Sequence, residues 1–330
     1  MRAALVALAL AAAPLGAAAD CPAVPEPVVA LGFDSRYAGS DDTRSDIDPE
    51  AEAEAEAALA PLDAFISDLA QRTDMAVRDA DGAAAGCVLS ALAAWARADA
   101  LAEQGTETAK LTIGARLAAL ALIAGRVAPA TESEDLAAVR DWLARRVEEQ
   151  MRFWETAPDG ARRGNLRAWA GLAAAATALL TQDAVTRGWA AWSLAYVACT
   201  ADADGSLPQE MARGKRALHY QLHAVAPLTV GAAVLRRQGI DLTARCDRAL
   251  DRIVAFTLAD VTAGGTASAA LTGEPQTVSG GPGALKDFQL AWGPAWLRLR
   301  ADPALAALLT SREGLKYSKL GGDQRLIWAP

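Results

Sequence analysis

The 330-residue chain is 52% hydrophobic and 22% charged, with 32 basic and 40 acidic side chains, a formal charge of −8 and two histidines. That apolar content excludes a disordered tail protein, and the acidic balance argues against a nucleic-acid partner. Taken as a sum, it also predicts repulsion from polyanions.

The first twenty residues read as a leader rather than as fold. Arg2, the apolar run from Ala3 and the small residues Ala17-Ala18-Ala19 have the layout of an export signal. Residues 1–19 are therefore expected to be cleaved before Asp20, leaving residues 20–330 as one periplasmic domain. The run is too short and too alanine-rich for an anchor, and no later uninterrupted apolar stretch of spanning length lacks charges, so no membrane association is expected. Cys21, Cys87, Cys199 and Cys246 in an exported chain suggest two disulfides. Three pairings are possible; Cys21–Cys87 with Cys199–Cys246 is favoured, and buried free thiols are the alternative. No cysteine pair has metal-ligand spacing, and neither metal nor cofactor is expected.

Downstream the pattern is helical almost throughout. Asp48 and Pro49 form an N-cap with proline at the first helical position. The Glu-Ala alternation at 50–56 has a strand period. Both residues are nonetheless helix formers, and Leu59, Leu62, Phe65, Ile66 and Leu69 restore helical spacing. Further amphipathic segments are expected at about 84–104, 107–126, 134–155, 165–181, 183–200, 213–237, 243–258, 287–299 and 303–310, broken at joints such as Pro158-Asp159-Gly160 and Asp204-Gly205. Short connections between about ten helices imply antiparallel pairs, hence an all-α fold, an (α/α) helical toroid or incomplete barrel. The stretch Asp260–Lys286, rich in Gly, Thr, Ser and Ala, reads as a lid or a disordered loop.

Four places carry candidate chemistry. Arg162, Arg163, Asn165 and Arg167 cluster at a helix start, where backbone donors, the dipole and fixed cations suit a carboxylate; a solvated basic helix start is the plainer reading. If residues from 213 onward are helical, Arg213, Arg216 and Tyr220 share a face, with His223 flanking it and His219 turned away. An arginine there stabilises the phenolate, lowering a pKa of about 10 toward use as an acid or base. The loop Gly32–Asp41, with Arg36 and Tyr37, is polar and aromatic enough to clamp a chain. Of Trp95, Trp142, Trp169, Trp189, Trp192, Trp292 and Trp296, most are expected in the core and one or two in a groove.

These places occur in a familiar order. The Cys21–Pro25 opening with Phe33–Asp41, the Ala93-Ala94-Trp95-Ala96-Arg97-Ala98 pattern, Gly164-Asn165-Leu166-Arg167-Ala168-Trp169, the stretch Asp204–Pro208 continuing through Arg213, Arg216 and Tyr220, and the Leu320-Gly321-Gly322 ending resemble the alginate lyases of polysaccharide lyase family five. A lysine commonly stands in that family where this chain has Arg36. The resemblance implies a periplasmic lyase for an anionic polysaccharide such as polymannuronate, monomeric, in which Asn165 and Arg213 neutralise the substrate carboxylate and Tyr220 is catalytic. Arg36, Tyr37, Arg167, Trp169, Arg216 and His223 are the expected substrate-binding residues.

Three motif positions depart from the family pattern. Leu166 replaces its histidine, Gly164 the preceding asparagine and Ala168 its tyrosine. β-Elimination removes the C5 hydrogen and expels the C4 oxygen, and in β-D-mannuronate or β-D-glucuronate both lie on one side of the ring. One tyrosine then serves as base and acid in turn, whereas α-L-guluronate needs two groups. Without the histidine, the expectation is a syn-eliminating lyase using Tyr220. The alternatives are a lyase acting on a glucuronan, a non-catalytic polyuronate-binding relative, and a hydrolase drawing carboxylates from Asp202, Asp204 and Glu210.

Overall fold

The computed structural model describes residues 21–39, 41–129 and 131–329; the expected export signal lies outside them. Its helices are α1 (Pro49–Arg78), α2 (Gly82–Arg97), α3 (Glu107–Thr112), α4 (Gly114–Val127), α5 (Glu134–Thr156), α6 (Asp159–Arg162), α7 (Asn165–Thr181) and α8 (Ala184–Ala198). Then follow α9 (Pro208–Met211), α10 (Ala217–Arg237), α11 (Arg245–Thr262), α12 (Thr266–Thr272), α13 (Gly293–Leu297), α14 (Pro303–Thr310) and α15 (Gln324–Ile327). Two-residue strands β1 (Ala30–Leu31) and β2 (Glu103–Gln104) pair in parallel, and β3 (Lys316–Tyr317) and β4 (Gly322–Asp323) antiparallel.

The cap read from sequence is present: the Asp48 carboxylate accepts the Glu50 and Ala51 amides and opens a 30-residue helix. Its buried side, including Leu59, Leu62, Phe65, Ile66 and Leu69, keeps the predicted spacing. Phe65 stacks on Trp95 at 3.9 Å between ring centres, and the Trp95 indole donates to the Pro25 carbonyl, so one core tryptophan also holds down the N-terminal arm.

α7 is the hub, packed against α4, α8 and α10, while α2 packs on α5 and α10 on α11. Paired helices of this kind form the expected (α/α) toroid. Small residues permit its close approach. A Cβ on Gly114 would lie 2.8 Å from the Ala170 amide, and Gly171 and Gly231 together receive the Leu194 side chain. Disulfides Cys21–Cys87 and Cys199–Cys246 tie the N-terminal arm to α2 and the end of α8 to the start of α11, in the favoured pairing.

Two expectations need correction. Asp260–Lys286 is neither disordered nor free of structure: it contains α12, bounded by left-handed Gly265 and Gly273. The buried Asp260 carboxylate accepts the Ala267 and Ser268 amides, a helix-start bond that glycine-rich composition conceals. Nor does a helix begin at Arg213. Gly214 takes φ +52°, a 3-10 turn follows, and α10 starts at Ala217.

Candidate active site

The turn from α9 to α10 is fixed from three sides. Gln221, wholly buried, accepts the Leu207 amide and donates to the Gly205 carbonyl, locking α9 onto α10. Gln276, from the stretch after α12, accepts the Leu218 amide at the start of α10 and donates to the Gly214 carbonyl. Residues 41–47 close the third side. Asp41 accepts the amides of Thr43, Ser45 and Asp46, so its carboxyl titrates well below the usual range, held there first by the Thr43 side chain. The folded loop turns its carbonyls toward the arginines: Arg213 donates to those of Thr43 and Arg44, and Arg216 to that of Ser45.

Held this way, the Arg213 guanidinium lies 3.7 Å from the centre of the Tyr220 ring and 4.9 Å from that of Tyr37. The pairing foreseen for one helix face is thus real, but a turn produces it. Tyr220 is 9% exposed, and its hydroxyl makes no hydrogen bond among the described residues.

Both histidines are close. The His219 ring stands edge-on to Tyr220 at 4.9 Å, contrary to the expectation that it turns away, and His223 lies 6.3 Å from Tyr220 and 5.3 Å from Trp169. Burial, followed by Arg216, Arg213 and Arg36, pushes His219 down to about 4. Burial pushes His223 well below its ordinary value too, with His219, Lys319, Arg213 and Arg36 adding to the effect. Both rings are therefore neutral at pH 7 and weakly basic. Lys319, brought in by the C-terminal segment, is lowered to about 8 by burial and then by Arg116. Arg116 itself makes a two-bond ion pair with Asp63. Neighbouring cations thus act in the same direction on three separate groups, which marks a locally positive site in a negative protein.

Asn165 opens α7 and is 4% exposed. Its backbone amide donates to Glu210 Oε1 at 2.7 Å and its side-chain Nδ2 to Oε2 at 2.9 Å. Glu210 is wholly buried, and burial raises its pKa to about 7 against the lowering by Asn165 and Arg213. Gly164 belongs to the same arrangement: a Cβ there would meet Gln209 Cγ at 2.8 Å and Glu210 Oε1 at 2.9 Å. The carboxylate that fixes Asn165 therefore requires glycine at a position where the family pattern has asparagine. The hydrolase alternative has no support here, since Glu210 faces Asn165 and Asp204 bonds within its own turn.

Of the expected binding residues, Arg36, Tyr37, Arg216 and His223 gather around Arg213 and Tyr220, with Arg36 also pairing with Glu52 at 3.5 Å. Arg167 and Trp169 need correction. They are 2% and 1% exposed, and a sealed side chain meets no substrate. Arg167 turns to α8, donating to Ser193 at 3.3 Å and lying 4.3 Å from the centre of the Trp192 ring. Trp169 backs His223 and Tyr317. Leu166, in the histidine's place, joins an apolar cluster with Trp154. Sequence reasoning missed Arg116, Lys319 and Glu210's hold on Asn165, because distant segments supply the first two. A cavity of about 250 Å³ lies elsewhere, lined by Leu122, Ala176, Val234 and Trp328 near the C-terminal ends of α4, α7 and α10.

The family model described as alginate lyase matches residues 102–267. This chain belongs to the alginate lyase family. A polysaccharide lyase of Stenotrophomonas maltophilia is 36% identical over 262 residues, covering 77% of this chain and 76% of its own. An alginate lyase of Pseudomonas aeruginosa is 29% identical over 324 residues, covering 95% and 87%. Among solved structures, alginate lyase A1-III of Sphingomonas species A1 superposes with a TM-score of 0.76 at 23% identity, covering 94% of this chain and 86% of that one. A histidine-to-alanine variant of A1-III complexed with a tetrasaccharide gives 0.80 at 24% identity, with the same coverage. The family member described here is a polysaccharide lyase, a carbon–oxygen lyase.

Proposed function

We propose that this lyase acts in the periplasm on alginate, preferring its β-D-mannuronate blocks, by syn elimination with Tyr220 as the only proton-transfer group. Residues 20–330 form its single, monomeric domain, and residues 1–19 are the export signal. The observation that carries the reading is the Arg213 guanidinium 3.7 Å from the Tyr220 ring in a groove that is positive although the protein is negative. A cation at that distance favours the phenolate, the form needed to take a proton. The C5–H bond breaks toward the tyrosine oxygen, its electrons form the C4–C5 double bond, and the C4–O bond breaks. The new phenol then returns the proton to the leaving oxygen. Arg213 faces the substrate carboxylate and stabilises the charge that develops as C5 loses its proton, with Arg36, Arg216 and Lys319 holding neighbouring uronates. Asn165, buried with its side-chain amide on Glu210, is a positioning residue behind them rather than the carboxylate contact expected of it.

Leu166 supports the restriction to syn chemistry. It packs in an apolar cluster, and burial with neighbouring cations makes His223, the other histidine near Tyr220 that could stand in as base, less basic than an ordinary imidazole. Incubation with polymannuronate, polyguluronate, mixed alginate and glucuronan, followed through the ultraviolet absorbance of the unsaturated uronate, tests this. Fast cleavage of polymannuronate and slow cleavage of polyguluronate is expected, with glucuronan reporting whether the C2 configuration matters. Preferential cutting of polyguluronate overturns the syn argument, and binding without any absorbance change identifies a non-catalytic relative.

A further inference from the structure

The outer face of α8 carries aromatic surface that the reaction does not use. Trp192 is 53% exposed and Tyr196 37%, and their rings lie side by side at 5.7 Å with a 31° tilt. Behind them sits Arg167, 2% exposed, with its guanidinium 4.3 Å from the Trp192 ring centre and 5.1 Å from that of Tyr196. Among the described residues it has no carboxylate partner; its one hydrogen bond goes to Ser193, and Nη2 is buried without any. Three ring faces, including Trp189 at 5.8 Å, are what this buried charge has in place of an ion pair. Both exposed rings are thereby held at fixed orientation with their outer sides open.

Location decides what such a pair fits. Asn165 and Arg167 are two residues apart at the start of α7, so their side chains point to nearly opposite sides of a helix about 10 Å across. One reaches Glu210 beside the groove and the other reaches α8. The helix start is therefore the rim between the groove and the aromatic pair. Arg163 stands on it exposed, with no ion pair among the described residues, next to Arg162, which pairs with Asp159. A polymer leaving the groove over this rim meets a free cation and then two flat rings. That sequence suits an anionic sugar chain, whose carboxylates seek cations and whose C–H faces lie flat on aromatic rings.

We propose that Trp192 and Tyr196 form a distal platform for the polyuronate chain, engaged only by substrates long enough to cross the rim at Arg163. The proposal rests on the polyuronate reading above and adds a prediction that the groove alone does not make: preference for long chains. The test compares wild type with a Trp192→Ala/Tyr196→Ala double variant on polymannuronate and on its tetramer, with circular dichroism to confirm the fold. For the polymer, a KM raised about five- to tenfold at unchanged kcat is expected, in line with the loss of one or two stacking contacts. For the tetramer, both constants should stay within twofold. An unchanged polymer KM, or an equal loss on polymer and tetramer, overturns the platform. So does a wild type that sediments as a dimer beside a monomeric variant, since Val185, 72% exposed on the same helix, would then belong to a contact between copies. Affinity electrophoresis through gels containing polymannuronate separates this from failure of the lyase reading. A wild type that cleaves nothing yet is retarded more than the variant keeps the platform and loses the lyase, whereas equal mobility loses the platform.

Discussion

Arg213 and Arg167 make a natural comparison. Each lies against aromatic rings and belongs to a motif shared with the family, yet their surroundings differ. Arg213 sits in a turn before α10, and its charge acts on two histidines and on a tyrosine whose hydroxyl has no hydrogen-bond partner among the described residues. Arg167 sits within a helix and is closed off by α8, and burial lowers even its own pKa. A guanidinium on a ring is thus not in itself a sign of catalysis. What separates the two is what surrounds the ring: two histidines and further cations converge on Tyr220, whereas Tyr196, also a phenol, lies exposed on α8 over Arg167.

The largest effect expected from breaking this contrast is at Arg213. Arg213→Ala removes a charge placed to stabilise the developing anion, and kcat on polymannuronate should fall about 10²- to 10³-fold. Arg167→Leu should leave tetramer turnover within twofold and, because replacing a buried unpaired charge by a packed apolar side chain is often neutral or better, should not lower the melting temperature. Comparable losses from both substitutions would erase the distinction.

Next in size are the disulfides, which close separations of 66 and 47 residues. Reduction of each should cost about 2–4 kcal/mol, read as a lowered denaturant midpoint. The first bridge also anchors the arm leading to Arg36 and Tyr37. Its loss should therefore raise KM for the polymer before the fold is lost.

Glu210 sharpens the comparison through pH. Its folded pKa, about 7, lies above the ordinary carboxyl value, so the folded state binds the proton more tightly than the unfolded state between roughly pH 4.5 and 7. Stability attributable to this group is full below that window and falls as pH rises through it, by at most about 3 kcal/mol. Glu210→Gln should flatten this slope in urea melts at pH 5 and 7. It should also slow turnover about tenfold, because the amide can no longer accept from both Asn165 donors. A slope unchanged by the substitution would remove Glu210 as its source.

How much of this was legible in the sequence depends on how local each signal is. Asp48-Pro49 and the Leu59–Leu69 spacing announce α1 because capping and amphipathic periodicity act within a few residues. Helical periodicity brings Arg213 and Tyr220 together for the wrong reason, since it passes through Gly214, where left-handed backbone interrupts the helix. Proximity in sequence groups Arg167 with Asn165, although two steps along a helix turn a side chain nearly to the far side. Lys319 and Arg116 could not be seen at all: the groove acquires them only when the C-terminal segment and α4 close the ring. The total charge had argued against a polyanion, and the fold resolves that by gathering arginines from three separated segments.

The central claim is that Tyr220 alone moves the proton. The direct measurement is turnover of polymannuronate by Tyr220→Phe, beside its affinity for the same polymer by gel retardation. Absence of the ultraviolet signal with wild-type retardation is the predicted result, because the ring and its contact with Arg213 survive while the reacting oxygen is gone. Turnover within tenfold of wild type would contradict it.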